Sequence, residues 1–87
     1  TEFIKKERDW LLNEMRGMPQ ITAFSSAANF ILFRCKDGKA VFRRLKEQGI
    51  LVRDVSGYPL LANHLRVSVG RHEENEWFLK ALEKSLT

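Results

Sequence analysis

Two short β-branched runs, residues 50–52 (ILV) and 65–69 (LRVSV), flank a loop punctuated by Gly57, Tyr58 and Pro59. This pattern limits the folds open to the chain more than any other. Alternate side chains of a strand face opposite ways, so Leu65, Val67 and Val69 make one apolar face while Arg66 and Ser68 point to the other. Arg53 ends the first run in a similar way. An arginine keeps its charge at any ordinary pH, and burying it without a partner is expensive. Two readings follow: Arg66 lies on the wet side of a half-buried sheet, or it is placed to clamp a carboxylate or phosphate.

Eighty-seven residues allow one domain with a thin core, and 44% apolar with 30% charged residues is the balance of a folded chain rather than a disordered one. The single cysteine, Cys35, excludes an internal disulfide framework and offers no metal cluster; at the end of an apolar run it reads as a buried, inert thiol. No apolar stretch approaches membrane-spanning length and no secretory signal pattern opens the chain, so we expect a cytoplasmic protein with no membrane partner. The net charge of +4 is spread among acids, with Glu2, Glu7 and Asp9 beside Lys5, Lys6 and Arg8. With no isolated basic block and no sheet of interleaved aromatics, nucleic acid is not an expected partner. The sequence opens at Thr1, without an initiator methionine and directly in a helical pattern, which leads us to expect a piece of a longer chain.

In order, residues 2–16 carry a helical stripe of Ile4, Leu11 and Met15, flanked by Phe3 and Trp10 and stopped by Gly17 and Pro19. Residues 21–24 form a short strand. The small residues Ser25, Ser26, Ala27 and Ala28 link it to 29–35 (NFILFRC), which is apolar on both faces and hints at cover from material outside this chain. Asn29 reads as a structural loop residue. Asp37 is an expected N-cap for a helix over 39–48 with Val41, Phe42 and Leu45 inward, and Gly49 fits its C-terminal cap. A third strand over 50–53 follows, and so compact a strand–helix–strand unit points to a crossover connection. The loop 54–63, with one short turn in 60–62, leads to the fourth strand. A last helix over 73–85 has Glu73, Glu74 and Glu76 at its positive end and Lys80 and Lys84 toward its negative end. Its expected inward stripe is Trp77, Phe78, Ala81, Leu82 and Leu86. The order is α-β-β-α-β-β-α: an α+β, two-layer small domain.

Chemistry is sparse. His64 and His72 have no carboxylate or thiol at metal-ligand spacing, and we read both as surface or structural. There is no Gly-rich phosphate loop, nucleophile elbow or paired-carboxylate motif. Arg66 and, more weakly, Arg53 are the candidate anion-binding residues. A loop parts them in sequence, yet adjacent strands would bring them close. Taken alone, the residues describe a module that binds or supports rather than a complete catalyst.

The ANF run at 28–30, EQGILVRD at 47–54, LRVSVG at 65–70 and the EEN-x-x-FL helix opening at 73–79 together resemble the end of the histidinol-phosphate aminotransferase family. Residues 1–28 resemble the lead-in helix and first strand of the same small domain. That family has the aspartate aminotransferase fold and depends on pyridoxal phosphate. The resemblance implies that Arg66 grips the anionic group of the substrate and that Arg53 lies where the substrate phosphate is recognised. It implies transfer of an amino group between L-histidinol phosphate and 2-oxoglutarate, in histidine biosynthesis, by a homodimeric parent. The cofactor lysine, ring-nitrogen contacts and phosphate cup belong to the family's large domain. None of Lys5, Lys6, Lys36, Lys39, Lys46, Lys80 and Lys84 is therefore assigned a role, no residue is assigned to cofactor, metal or catalysis, and this piece alone is expected to be inactive. Arg71 and His72 depart from the small or hydroxylated residue and proline often found after the strand glycine.

Two other readings compete. Threonine-phosphate decarboxylase shares the fold, the cofactor and a phosphate-bearing substrate, and the GYP loop is compatible with it. A freestanding α+β domain that binds a small anion is the alternative outside enzymes.

Overall fold

A computed structural model describes residues 2–25 and 28–87. Thr1, Ser26 and Ala27, the last two part of the expected small-residue link, lie outside the described residues. The element order is α1 (Glu2–Arg16), β1 (Ile21–Phe24), β2 (Phe30–Cys35), α2 (Gly38–Glu47), β3 (Arg53–Asp54), β4 (His64–Ser68) and α3 (His72–Ser85). The strands form one sheet in the order β1-β2-β4-β3, with every neighbouring pair antiparallel. Because β2 and β3 both oppose β4, they run parallel to each other on either side of it. The connection through α2 is thus the expected crossover, with β4 inserted between its two strands.

Alternation decides which face is covered. Ile31 and Phe33 on β2 and Leu65 and Val67 on β4 are buried beneath the helices, where they meet Leu11, Met15, Leu45 and Leu82 in one apolar cluster. Phe33 meets Phe78 edge to face at 5.9 Å, a preferred aromatic geometry. Cys35 is buried, and burial pushes its thiol up to about 11, so it is inert as expected. On α1 the core takes Leu12 besides Leu11 and Met15, while Phe3 is exposed.

Helix α2 is tightly delimited. The Asp37 carboxylate accepts from the Ala40 N–H at 3.2 Å, the expected N-cap. At the other end Gly49 has a φ of +84°; its N–H donates to the Lys46 carbonyl at 3.0 Å, and the Ile50 N–H to that of Leu45 at 2.9 Å. This is a Schellman ending, with glycine one residue beyond the cap residue Gln48. It also corrects the expected third strand over 50–53. The backbone N–H of Ile50 is spent on closing the helix and Leu51 is 77% exposed, so ladder pairing starts only at Arg53.

On α3 the buried stripe is Asn75, Phe78, Ala81, Leu82 and Ser85. Trp77, expected to face inward, is instead 56% exposed: it sits a full 100° step around the helix from Phe78 and flanks a surface groove beside Leu51. Ser85 is satisfied where it is buried, donating to the Ala81 carbonyl at 2.7 Å and accepting from the Gln48 amide at 2.9 Å, which ties α2 to α3.

Candidate functional site: an opposed arginine pair

The uncovered face of the sheet is where charge collects. Arg53 of β3 and Arg66 of β4 are direct cross-strand partners, so their side chains leave the same face of the sheet side by side. Arg66 is half-buried and its guanidinium lies 4.7 Å from the centre of the Phe30 ring, a cation–π contact. Arg53 is exposed. Like charges directly opposite on a sheet repel, and among the described residues neither arginine has an ion pair. The neighbouring acid does not help. Asp54 pairs with the inward Leu65, so alternation sends its side chain to the other face. There its carboxylate is held below the usual carboxylate range chiefly by the Ser56 side chain, then by the Ser56 N–H, which donates to it at 2.9 Å, with lesser help from Lys39.

The loop between the two strands is built from consecutive turns rather than from one. The Tyr58 N–H donates to the Val55 carbonyl, the Leu61 N–H to that of Tyr58, and the His64 N–H to that of Leu61, at 3.0–3.1 Å. Pro59 and Leu60 occupy the two central positions of the middle turn, and Leu60 has a φ of +67°, the position where a type II turn needs a left-handed residue. Asn63, at +63°, plays that part in the last turn, as asparagine tolerates. The carbonyl of Asn63 accepts from the Cys35 N–H at 3.0 Å and its side-chain oxygen accepts from the Gly38 N–H at 3.1 Å. Buried Val55 pins the near end of the loop. The result is a concavity of about 330 Å³ in which Phe30, Val55, Tyr58 and Leu61 surround the two arginines. An apolar cup with two unneutralised guanidiniums is a place for a small organic anion.

Sequence reasoning therefore singled out the right strands for this pair. It did not find the junction that holds the far end of β4. The Asn75 side chain, 2% exposed, accepts from the Gly70 N–H at 2.9 Å and donates both to the Gly70 carbonyl at 3.0 Å and to a Glu7 carboxylate oxygen at 2.9 Å. Glu7 also meets His72 Nδ1 at 3.1 Å, and the His72 ring lies 4.5 Å from that of Trp10. The amide of Asn75 and the ring of His72 hold the Glu7 carboxyl below its ordinary value, and Glu7 raises His72 in return. The available signal was a polar residue on an apolar stripe: Asn75 shares its helix face with Phe78 and Leu82. His72 is thus structural, as expected. So is His64, which is buried, contacts the Ala62 carbonyl through Nδ1 at 2.9 Å and stacks on Phe24 at 5.8 Å.

Lys5, Lys6, Lys36, Lys39, Lys46, Lys80 and Lys84 are all exposed. None has the enclosed setting that lowers a lysine pKa enough to react with a cofactor aldehyde. The residues of this chain do not by themselves fit pyridoxal phosphate. Among the described residues no helix is long and apolar enough to cross a membrane.

A crossover sheet with helices on one face and paired cations on the other is a small domain of the α+β type. The chain matches the family model of aminotransferase class I and II over residues 1–82, and it belongs to that family, whose members depend on pyridoxal phosphate. It is 45% identical over 84 residues to histidinol-phosphate aminotransferase of Chlorobaculum tepidum, covering 97% of this chain and 24% of that protein. The enzyme of the same name from Methylibium petroleiphilum is 47% identical over 85 residues, with 97% of this chain and 23% of the relative covered. Among solved structures, histidinol-phosphate aminotransferase from Clostridium acetobutylicum superposes with a TM-score of 0.86 at 29% identity, over 94% of this chain and 26% of that one. The L-threonine-O-3-phosphate decarboxylase from Porphyromonas gingivalis shares the fold, with a TM-score of 0.84 at 24% identity over 92% of this chain and 26% of that one. The chain thus spans about a quarter of the length of the relatives it matches.

Proposed function

We propose that these residues are the small domain of a pyridoxal-phosphate-dependent histidinol-phosphate aminotransferase, a cytoplasmic homodimer, and that Arg66 and Arg53 grip the anionic end of its substrates. The observation that carries this reading is the direct opposition of the two arginines over an apolar cup, with no ion pair to either among the described residues. The reaction moves an amino group between L-histidinol phosphate and 2-oxoglutarate. The cofactor, held by a large domain, supplies the electron sink. The small domain contributes charge and orientation: planar guanidiniums suit both a phosphate monoester and a carboxylate, so one pocket serves both substrates in turn. The 87 residues alone, with every lysine exposed, are inactive in this reading.

The test uses the whole polypeptide that contains these residues, loaded with cofactor. Wild type should convert L-histidinol phosphate and 2-oxoglutarate to glutamate and the ketone that corresponds to the phosphate substrate. Arg66→Ala should lower kcat/KM at least about thirtyfold, the equivalent of ~2 kcal/mol for losing one partner of a desolvated charge pair. An unchanged kcat/KM in Arg66→Ala would remove the arginine from the site. Release of carbon dioxide from threonine phosphate, with no amino transfer, would replace the transferase by the decarboxylase.

A further inference from the structure

We propose that Tyr58 is a specificity-determining residue, whose phenol donates the hydrogen bond that separates a phosphate monoester from a carboxylate in the Arg53–Arg66 cup. The proposal rests on reading that cup as the anion site.

Tyr58 lines the same concavity as both guanidiniums and its side chain is 57% exposed. Among the described residues its hydroxyl has no hydrogen-bond partner, although its backbone is held on both sides, by the Val55 carbonyl and by the Leu61 N–H. Pro59 confines the tyrosine to extended backbone. Beyond it, Leu60 takes a left-handed conformation that costs a non-glycine residue stability. Leu60 itself is 97% exposed, so no burial offsets that cost at this position. Strain without a packing return is a mark of a segment shaped for function. What the turn delivers to the cup is the tyrosine.

The donor count gives the phenol its role. A carboxylate carries one charge on two oxygens, and a single bidentate guanidinium occupies both in its plane. A phosphate monoester carries close to two negative charges near neutral pH on three terminal oxygens. Two arginines match that charge, and the extra oxygen accepts another hydrogen bond. A phenol is an uncharged O–H donor. Tyr58 therefore adds binding for the phosphate substrate and little for the dicarboxylate.

The experiment compares Tyr58→Phe with wild type in the cofactor-loaded, full polypeptide, because this change removes only the hydroxyl. Calorimetric titration with inorganic phosphate and, separately, with acetate reads binding without turnover; KM for L-histidinol phosphate and for 2-oxoglutarate is read alongside. We expect phosphate affinity to fall and the phosphate-substrate KM to rise by roughly tenfold, the lower range for a hydrogen bond to a charged group. Acetate binding and the 2-oxoglutarate KM should stay as in wild type. Equal losses for both anions, or none for phosphate, overturn the proposal. Arg66→Ala separates that failure from failure of the site: if it weakens phosphate while Tyr58→Phe does not, only the tyrosine is misassigned. If Arg66→Ala binds phosphate as tightly as wild type, the clamp falls and the Tyr58 proposal with it.

Discussion

The two faces of the sheet are made by the same strands, residue by residue, and are held to opposite standards. On the covered face Ile31, Phe33, Leu65 and Val67 are buried against helices. These four are all apolar, and shape decides stability. On the open face Arg34 stands opposite His64 and Arg66 opposite Arg53, with Phe24, Phe30 and Leu32 between them. A chain selected for stability alone would not set two arginines across from each other with no acid in reach. The covered face stores the fold's free energy, and on the open face two like charges side by side work against it.

Substitutions on the two faces should therefore differ in what they damage. The largest effect is expected for Phe33→Ala, which empties a fully buried site beside Phe78 and should cost ~3–5 kcal/mol in chemical denaturation. The half-buried Phe30→Ala on the open face should cost far less stability while weakening anion binding. If the two variants unfold at the same denaturant concentration, the distinction between the faces is wrong. Next comes Gly38→Ala, at the hinge between the covered core and the loop that shapes the open face. Its Cβ would lie 2.9 Å from the Asn63 Cα, a backbone atom that cannot step aside, so we expect a loss of about 1–3 kcal/mol. A neutral result would mean that the 61–64 turn moves freely against α2.

Two smaller changes address the open face alone. Leu60→Gly relieves a left-handed leucine whose side chain is buried nowhere, and should stabilise by up to ~1 kcal/mol, read from the thermal midpoint. Arg66→Ala removes repulsion from Arg53 and a cation–π contact with Phe30 together, so stability should stay within about 0.5 kcal/mol while anion affinity is lost. A large destabilisation would make Arg66 a structural residue instead.

The least effect is expected from pH, at the Glu7–His72 junction. Glu7 is lowered below 4.5 in the folded state, chiefly by the Asn75 amide, so its contribution is full above pH 4.5 and fades as pH falls through the lowered value. His72 is raised above 6.5, chiefly by Glu7, so its contribution is full below pH 6.5 and fades as pH rises through the raised value. The thermal midpoint should therefore show a shallow plateau between pH 4.5 and 6.5 from this pair. Replacing His72 by glutamine should flatten the alkaline limb; a limb that survives the substitution belongs to another group.

Most of this architecture was legible in one dimension. The α-β-β-α-β-β-α order, the crossover through α2 and the inward set Leu65, Val67 and Val69 follow from periodicity and from caps that act locally. The misread parts have a common cause. Residues 50–52 look like a strand because they are apolar and Ile50 and Val52 are β-branched, but a backbone N–H already committed to the end of α2 cannot start a ladder. Trp77 looks like core because it is large and apolar, but the helix phase, set by Asn75, Phe78 and Ser85, turns it outward. In the site, Arg53 and Arg66 were visible as charges in apolar runs. Tyr58 was visible only as turn punctuation, since nothing local says that a loop will fold its ring toward two arginines.

What the amino-acid order determined by itself is therefore everything that acts over a few residues: the helices, their ends, and the alternation that gives each strand a dry face and a wet one. What only the tertiary structure decided is register. The pairing of Arg53 with Arg66, of Asn63 with Gly38 and of Glu7 with Asn75 joins residues far apart in sequence. A one-residue slip would send Arg66 into the core, and it is the packing of the covered face that forbids the slip. The cup around the two arginines exists because apolar side chains on the other side of the sheet fix this register.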